Sequence, residues 1–187
     1  RWPRGDLKTR FLYGHTDSIY CVHFDDEDGI FTGSRDRTIR QWDLRSGVCL
    51  RTVEAHEASV LCLCRHGKQL VTGSSDCTAR IWNLPALSQG HQLVGHTAGV
   101  LDVCIDESQI VTCSKDTTLR VWNRETGKCE HILTGHRGPV NAIQMKAGMI
   151  VSASGDATRR VWDAKTFKCI RTITGHLRGL ACIHFDG

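Results

Sequence analysis

The decapeptide SKDTTLRVWN at residues 114–123 is one of four closely similar copies in this chain of 187 residues. The other copies are SRDRTIRQWD (34–43), SSDCTARIWN (74–83) and SGDATRRVWD (154–163). Their tryptophans are spaced 40 residues apart, and the aspartates six residues before each tryptophan keep the same spacing. Self-similarity at a fixed period of this length indicates a repeat architecture, in which each copy belongs to one structural unit.

Each repeat contains further short apolar stretches that are separated by turn residues. In the third repeat these are a stretch with apolar Val100 and Val103, then IVTCS (110–114), and CEHIL (129–133) after the decapeptide. Segments this short and rich in β-branched residues, with no helical period between them, are typical of an all-β fold. Four strands in each 40-residue unit predict the blades of a β-propeller.

The repeat boundaries divide the chain into a lead-in at 1–8 and a propeller segment at 9–187. We assign repeats at approximately 14–54, 55–94, 95–134 and 135–174, with a partial repeat at 175–187. Thr9–Tyr13 has the phase of a fourth strand, and LACIHF (180–185) has the phase of a first strand. We therefore predict four complete four-stranded blades plus one leading and one trailing strand. Because these two strands leave an incomplete blade, we expect a segment of a larger ring or edges covered by another chain.

The composition favours an intracellular globular protein. Hydrophobic residues make up 40%, and no run of about 18 apolar residues is present to cross a membrane. The formal net charge of +4 is mild, which makes nucleic acid an unlikely partner. The ten cysteines include no CxxC pair and several recur at equivalent repeat positions, so we predict small buried residues in a reducing compartment, the cytoplasm and/or nucleus. Zinc is the minority interpretation, and we predict no metal and no cofactor.

From Thr9 to its end the chain resembles a WD-repeat (WD40) protein, and the resemblance implies a hydrogen-bonded tetrad in each blade. The matching residues are His15, Thr32, Asp36 and Trp42; His56, Thr72, Asp76 and Trp82; His96, Thr112, Asp116 and Trp122; and His136, Ser152, Asp156 and Trp162. The serines two residues after each hydroxyl remain alternative partners: Ser34, Ser74, Ser114 and Ser154. Such a set satisfies buried polar groups. A Ser-His-Asp catalytic interpretation is disfavoured because the set occurs four times, so we predict no enzyme.

Positions that differ from repeat to repeat, while the tetrad residues recur, are candidates for partner binding. In a propeller the tetrad turns and the Gly-His loops lie on one face, near the central channel. The variable positions on this face are Arg35, Ser75, Lys115 and Gly155 before the turn aspartates, and Tyr20, Leu61, Leu101, Asn141 and Ala181 on the first strands. Arg37, Arg137 and Arg178 share the face with Asp17, Glu57 and Asp102, whereas the acidic run 25–28 falls at the opposite end. A basic face suits an acidic or phosphorylated peptide, and a merely solvated surface is the alternative.

A narrower resemblance concerns the stretches IYCVHFDDE (19–27), TGSRDRTIRQWD (32–43), SVLCL (59–63) and VTGSSD (71–76). They are similar to the propellers of F-box/WD-repeat proteins of the beta-TrCP type, which are substrate receptors of SCF ubiquitin ligases and bind phosphodegrons. The resemblance implies that Tyr20, Arg35, Ser59 and Ser75 contact a phosphorylated peptide and that Trp2 marks the entry of the linker. It also implies SCF partners through an F-box outside this chain.

The inner strands depart from that pattern. Family members commonly place arginines there, whereas this chain has Leu61, Leu101, Asn141 and Ala181. The complete set of predicted partner-binding residues is Tyr20, Arg35, Ser59, Ser75, Lys115, Arg137 and Arg178. The alternative function is a general WD-repeat scaffold for complex assembly without phosphopeptide specificity.

Overall fold

The computed structural model describes residues 11–25 and 29–184, and for Asp25 the backbone only. The strands are β1 (Ile19–Asp25), β2 (Gly29–Ser34), β3 (Thr38–Trp42), β4 (Cys49–Glu54), β5 (Val60–His66), β6 (Gln69–Ser74), β7 (Thr78–Asn83), β8 (Ser88–Val94), β9 (Val100–Ile105), β10 (Gln109–Ser114), β11 (Leu119–Asn123), β12 (Cys129–Leu133), β13 (Val140–Lys146), β14 (Met149–Ser154), β15 (Arg159–Asp163) and β16 (Cys169–Ile173). Within the described ranges, no helix is long and apolar enough to span a bilayer.

Consecutive strands form four separate four-stranded antiparallel sheets. We number them blade 1 (β1–β4), blade 2 (β5–β8), blade 3 (β9–β12) and blade 4 (β13–β16). Every strand pairs with its sequence neighbour, so each blade is a meander of tight hairpins. The prediction of an all-β propeller segment with four four-stranded blades is confirmed.

The apolar core lies between successive blades. Phe31 and Ile39 of blade 1 pack with Leu70 and Trp82 of blade 2, and all four side chains are almost fully buried. Trp122 packs in the same way against blade 2, and Trp162 packs against blade 3. The tryptophans of blades 2, 3 and 4 therefore each join their own blade to the preceding one, so the blades stabilise one another by burying large apolar side chains.

The face of blade 1 that would meet a preceding blade is open in this structure. Val22 on that face is 67% exposed and Phe24 is 52% exposed. Val103, which occupies the position of Val22 in blade 3, is only 2% exposed because blade 2 covers it. The comparison shows how much apolar burial at this position depends on a neighbouring blade.

The predicted leading and trailing strands are not formed in the described residues. Phe11–Tyr13 and Leu180–His184 have no strand structure, and the rest of both segments lies outside the described residues. A strand at either position needs a hydrogen-bonding strand from its own blade, and the described part of the chain provides none. The trailing segment instead lies against blade 4, where the Leu180 amide donates to the Ser154 carbonyl at 2.9 Å.

Candidate functional site

The tetrad of blade 3 connects a loop, two strands and a turn. Nδ1 of His96 donates to Oδ2 of Asp116 at 2.7 Å, and the hydroxyl of Thr112 donates to Nε2 of His96 at 2.8 Å. The indole Nε1 of Trp122 donates to the same hydroxyl oxygen at 2.9 Å. The chain of donors and acceptors is therefore continuous from the turn carboxylate to the buried indole.

The other three blades repeat this geometry. The imidazole–carboxylate distances are 2.8 Å for His15–Asp36, 2.9 Å for His56–Asp76 and 3.0 Å for His136–Asp156. The imidazole–hydroxyl distances are 2.7 Å for His15–Thr32, 2.8 Å for His56–Thr72 and 2.8 Å for His136–Ser152. The indole–hydroxyl distances are 2.8 Å for Trp42–Thr32, 2.9 Å for Trp82–Thr72 and 3.0 Å for Trp162–Ser152. All sixteen matched residues are thus brought together as four sets.

The alternative serines have a different role. Ser114 accepts a hydrogen bond from the Asp116 amide at 3.0 Å and donates to the Ala98 carbonyl at 2.9 Å. The other three serines accept from the amide of their own turn aspartate at 3.1 Å: Ser34, Ser74 and Ser154. These serines fix the turn, and the first hydroxyl of each pair bonds to the histidine and the tryptophan.

A fifth side chain, which the sequence interpretation missed, belongs to each network. The hydroxyl of Thr118 donates to Oδ1 of Asp116 at 2.7 Å, so both carboxylate oxygens are engaged. Its counterparts bond to their aspartates at 2.6 to 2.7 Å: Thr38, Thr78 and Thr158. The signal was present in the sequence, because a threonine follows the aspartate by two residues in all four copies.

These networks determine the charge of the tetrad. Burial opposes ionisation of Asp116, but hydrogen bonds from Thr118, His96 and the Thr97 amide outweigh it and lower the pKa to about 2. Burial lowers the pKa of His96 and His136, and their aspartates offset this effect only in part. The tetrad aspartate is therefore held ionised beside a neutral imidazole.

The first strand of each blade, which we call the inner strand, carries a β-bulge near its start. The inner strands are β1, β5, β9 and β13, and consecutive ones contact each other. In blade 1 the register passes from Ile19–Ser34 directly to Cys21–Gly33, which leaves Tyr20 as the extra residue. The same shift leaves out Leu61, Leu101 and Asn141 in the other blades. A bulge re-aims the side chain of its extra residue, often at a binding site.

The four bulge residues meet at one cavity. A depression of about 460 Å³ is lined by Tyr20, Leu61, Leu101, Asn141 and Ala181, and we call it the channel mouth. These are the five variable inner-strand positions that the sequence placed near the channel. Tyr20 is 50% exposed, so part of its ring remains available for contact.

Among the predicted partner-binding residues, Tyr20 lines the channel mouth, and the other six lie outside its lining. Arg35 follows β2, its side chain is 61% exposed, and its Nε lies 3.7 Å from Oδ2 of Asp17. Ser59 and Ser75 are brought together, since the Ser75 amide donates to the Ser59 carbonyl at 3.0 Å. Lys115, Arg137 and Arg178 are exposed. Trp2, residues 26–28 and the side chain of Asp25 lie outside the described residues.

Asp102 is not part of the exposed charge of this face, contrary to the sequence-based prediction. Its Oδ2 accepts the Ile143 amide of blade 4 at 2.9 Å, and its Oδ1 accepts the Val103 amide at 2.9 Å. Burial raises the pKa of Asp102 to about 6, and the two amides offset this only in part. The bulge at Leu101 changes which way the following residue points, and this cannot be read from strict alternation.

A second cavity of about 460 Å³ lies between the far ends of blades 2 and 3, and its lining includes Lys68, Glu107 and Arg124. Arg124 donates to the Asp106 carbonyl at 2.7 Å and to the His66 carbonyl at 3.2 Å. Because its guanidinium is held by these contacts, we interpret this cavity as part of an inter-blade junction. All ten cysteines are free, and the described residues contain no group of three or more candidate metal ligands.

Sequence comparisons relate short stretches of the chain to proteins of several kinds. Mitochondrial division protein 1 of Saccharomyces cerevisiae is 51% identical over 47 residues, which is 25% of this chain and 6% of that protein. The probable E3 ubiquitin ligase complex SCF subunit sconB of Arthroderma benhamiae is 40% identical over 52 residues, 28% of this chain and 8% of that protein. The aligned stretches thus span less than a tenth of these relatives.

The structural and family comparisons cover most of the chain. The solved structure of U3-55K superposes with a TM-score of 0.86 at 27% identity, over 92% of this chain and 57% of that one. The family model "WD domain, G-beta repeat" matches residues 7–43, 47–83, 87–123 and 127–163. Propellers of this family generally serve as non-catalytic scaffolds that bind proteins. With four matched repeats over most of its length, the chain belongs to the WD40 family.

Proposed function

We propose that this WD40 segment is the substrate-recognition part of an SCF ubiquitin ligase and binds an acidic or phosphorylated peptide across the channel mouth. The observation that carries the proposal is the convergence of four bulge residues on one cavity beside an exposed arginine. Apolar Leu61 and Leu101 would contact an uncharged side chain of the peptide. Arg35 would supply charge-assisted hydrogen bonds to a phosphate or carboxylate.

The electrostatic part of the proposal rests on exposed cations around the channel mouth. Lys115, Arg137 and Arg178 are exposed, and Arg35 makes a long contact to Asp17 at the protein surface. A surface ion pair of this kind contributes little stability, so an incoming phosphate can replace Asp17 at low cost. Ser59 and Ser75, whose backbones are joined, offer hydroxyl groups beside this cluster.

The ligase part of the proposal rests on two resemblances. The stretches around Tyr20, Arg35, Ser59 and Ser75 are similar to F-box/WD-repeat propellers, and the SCF subunit sconB is among the sequence relatives. In this proposal an F-box outside the chain recruits the remaining SCF components. We further propose an intracellular location, in the cytoplasm and/or nucleus, where ten free thiols remain reduced.

A general scaffold without phosphate preference is the second candidate. The observation that favours it is the uncharged lining of the channel mouth, which has Leu61, Leu101, Asn141 and Ala181. A ligand that fills only this cavity would bind mainly by apolar contact. Phosphorylation would then have little effect on its affinity.

Calorimetric titration of the full chain with one degron-type peptide, in phosphorylated and unphosphorylated forms, separates the two candidates. We expect the phosphorylated form to bind at least about tenfold more tightly, and Arg35→Ala to remove about 1.4 kcal/mol of that binding free energy. Lys146→Ala is the matched control, because Lys146 is an exposed cation at the opposite end of an inner strand. Equal affinity for both peptides, or an unchanged affinity in Arg35→Ala, would contradict phosphopeptide recognition.

A further inference from the structure

Asp102 occupies an inner-strand position that is uncharged in every other repeat. The equivalent residues, one after each bulge residue or its counterpart, are Cys21, Cys62, Ala142 and Cys182. A carboxylate in a series of small, weakly polar side chains is costly to bury and needs compensating contacts. Its contacts are therefore a feature of this chain and not of the repeat.

The carboxylate joins two blades. Oδ2 accepts the Ile143 amide on β13 at 2.9 Å, while Oδ1 accepts the Val103 amide on its own strand at 2.9 Å. Ile143 lies two residues after Asn141, and Asp102 directly follows Leu101. The contact thus ties together the two inner strands that supply Leu101 and Asn141 to the channel mouth.

Five thiols of the described residues interact electrostatically with Asp102. Cys104 lies on the same strand as Asp102, and Cys113 on β10 is the ladder partner of Asp102. The others come from β5 and β1: Cys62, Cys64 and Cys21. Burial raises the pKa of each of these thiols, so they are neutral at physiological pH. β13 contributes the Ile143 amide. The partial charges of the Ile143 and Val103 amides therefore help to balance the carboxylate.

We propose that Asp102 is a proton-sensitive clamp between blades 3 and 4, which holds Leu101 and Asn141 in register at the channel mouth. The ionised carboxylate accepts two amide hydrogen bonds, and protonation removes the charge that strengthens them. Because burial raises the pKa of Asp102 to about 6, the clamp loosens as the pH falls through that value. Its link to ligand binding rests on the proposed function of the channel mouth, whereas the clamp itself does not.

The clamp is maintained at a cost to global stability. The pKa of Asp102 is higher in the folded protein than in the unfolded chain, so the folded state binds this proton more tightly. Its contribution to stability is complete below pH 3.8 and is lost as the pH rises through about 6. Replacing Asp102 with an uncharged residue should therefore benefit the protein more at neutral than at acidic pH.

Urea unfolding of the full chain at pH 4.5 and pH 7.5 tests the clamp in wild type, Asp102→Asn and Asp102→Cys. The cysteine variant carries the residue that repeats 1 and 2 have at this position. We expect the folding equilibrium constant of both variants, relative to wild type, to rise roughly 10- to 100-fold between the two pH values. Glu107→Gln, which removes an exposed carboxylate of the next turn, is the control and should change equally at both pH values. Parallel pH profiles for wild type and both Asp102 variants would overturn the proposal.

Hydrogen exchange provides a readout that a simple charge effect would not change. At pH 7.5 we expect the Ile143 amide to exchange several-fold faster in both Asp102 variants, with the equivalent Leu63 amide of blade 2 unchanged. Unaltered Ile143 exchange would refute a clamp even if the unfolding data shifted.

Peptide titrations at pH 5.5 and 7.5 then test the link between the Asp102 clamp and ligand binding at the channel mouth. Equal pH dependence in wild type and Asp102→Asn would break that link, whereas absence of any peptide binding would contradict only the proposed function.

Discussion

Two kinds of aspartate coexist in this propeller, and their pKa values are shifted in opposite directions. Each tetrad aspartate receives an imidazole N–H, a threonine hydroxyl and two or more amides, and its pKa falls. Asp102 receives two amides, and its pKa rises to about 6. The difference teaches that the depth of burial and the number of donors together decide whether a carboxylate stabilises this fold in its ionised form.

The two kinds of aspartate also give opposite pH dependences. The tetrad carboxylates have a lower pKa in the folded state, so their contribution to stability is present above about pH 4 and is lost as the pH falls. The lowered pKa values of His96 and His136 act in the same direction, because unfolding in acid allows both imidazoles to take up protons. Asp102 acts in the opposite direction between pH 3.8 and about 6.

Removing one carboxylate of each kind should give the largest difference in the free energy of unfolding. We expect Asp116→Ala to lower the free energy of unfolding by about 3 kcal/mol at pH 7.5, because His96, Thr118 and the Thr97 amide all lose an acceptor. Asp102→Ala introduces the residue that blade 4 has at the equivalent position, Ala142. This variant should change the free energy of unfolding by less than about 1 kcal/mol. Equilibrium urea unfolding measures both, and similar losses in the two variants would contradict the distinction.

The hydroxyl donors can be removed while the carboxylate stays. Thr118→Val should cost about 1–2 kcal/mol at pH 7.5, because Asp116 loses a buried hydrogen bond of 2.7 Å. It should also shift acid unfolding to higher pH, because the pKa of Asp116 rises towards its ordinary value. Thr97→Val is the matched control, since Thr97 bonds to Asp116 through its main-chain amide. An acid midpoint that moves equally in both variants would show that the hydroxyl does not matter.

The smallest expected effect comes from exchanging one tetrad type for another. Thr112→Ser gives blade 3 the hydroxyl that blade 4 already uses, keeps every tetrad hydrogen bond and removes a fully buried methyl group. We expect a loss of about 1 kcal/mol, consistent with one buried carbon. Thermal unfolding with unchanged pH dependence would support this assignment, whereas a loss as large as that of Asp116→Ala would mean that the serine network is geometrically different.

The repeat period was enough to predict the blades, and the resemblance to WD-repeat proteins implied the members of each tetrad. Residues such as Trp122 and Asp116 keep the same 40-residue phase as their counterparts, and a fixed phase in a repeat fold means a fixed place in the blade. The period also contained the recurring Thr118 position, although its bond to Asp116 depends on turn geometry that the sequence does not state. The strands predicted at the two ends were wrong in the described residues, because strand formation requires a partner strand and not only a matching phase.

Asp102 shows why the candidate site was less predictable than the blades and their tetrads. Strict alternation cannot say where a side chain points once a bulge has been inserted. The sequence did contain an indirect sign of the bulge. Val100 and Val103 are both apolar although they are three residues apart, a spacing that would place them on opposite faces of a regular strand, and the other three repeats keep this spacing.

The bulges also separate folding from specificity. Tyr20, Leu61, Leu101 and Asn141 have no partner in the ladder between the first two strands of their blades, and none is a member of a tetrad. Substitutions at these four positions can change the chemistry of the channel mouth while the surrounding ladder and polar networks remain in place. Of the four, Asn141 also donates to the Leu180 carbonyl and Leu101 packs against a core cluster, so Tyr20 and Leu61 are the positions at which evolution, or a combinatorial library, can change ligand preference with the least effect on the fold.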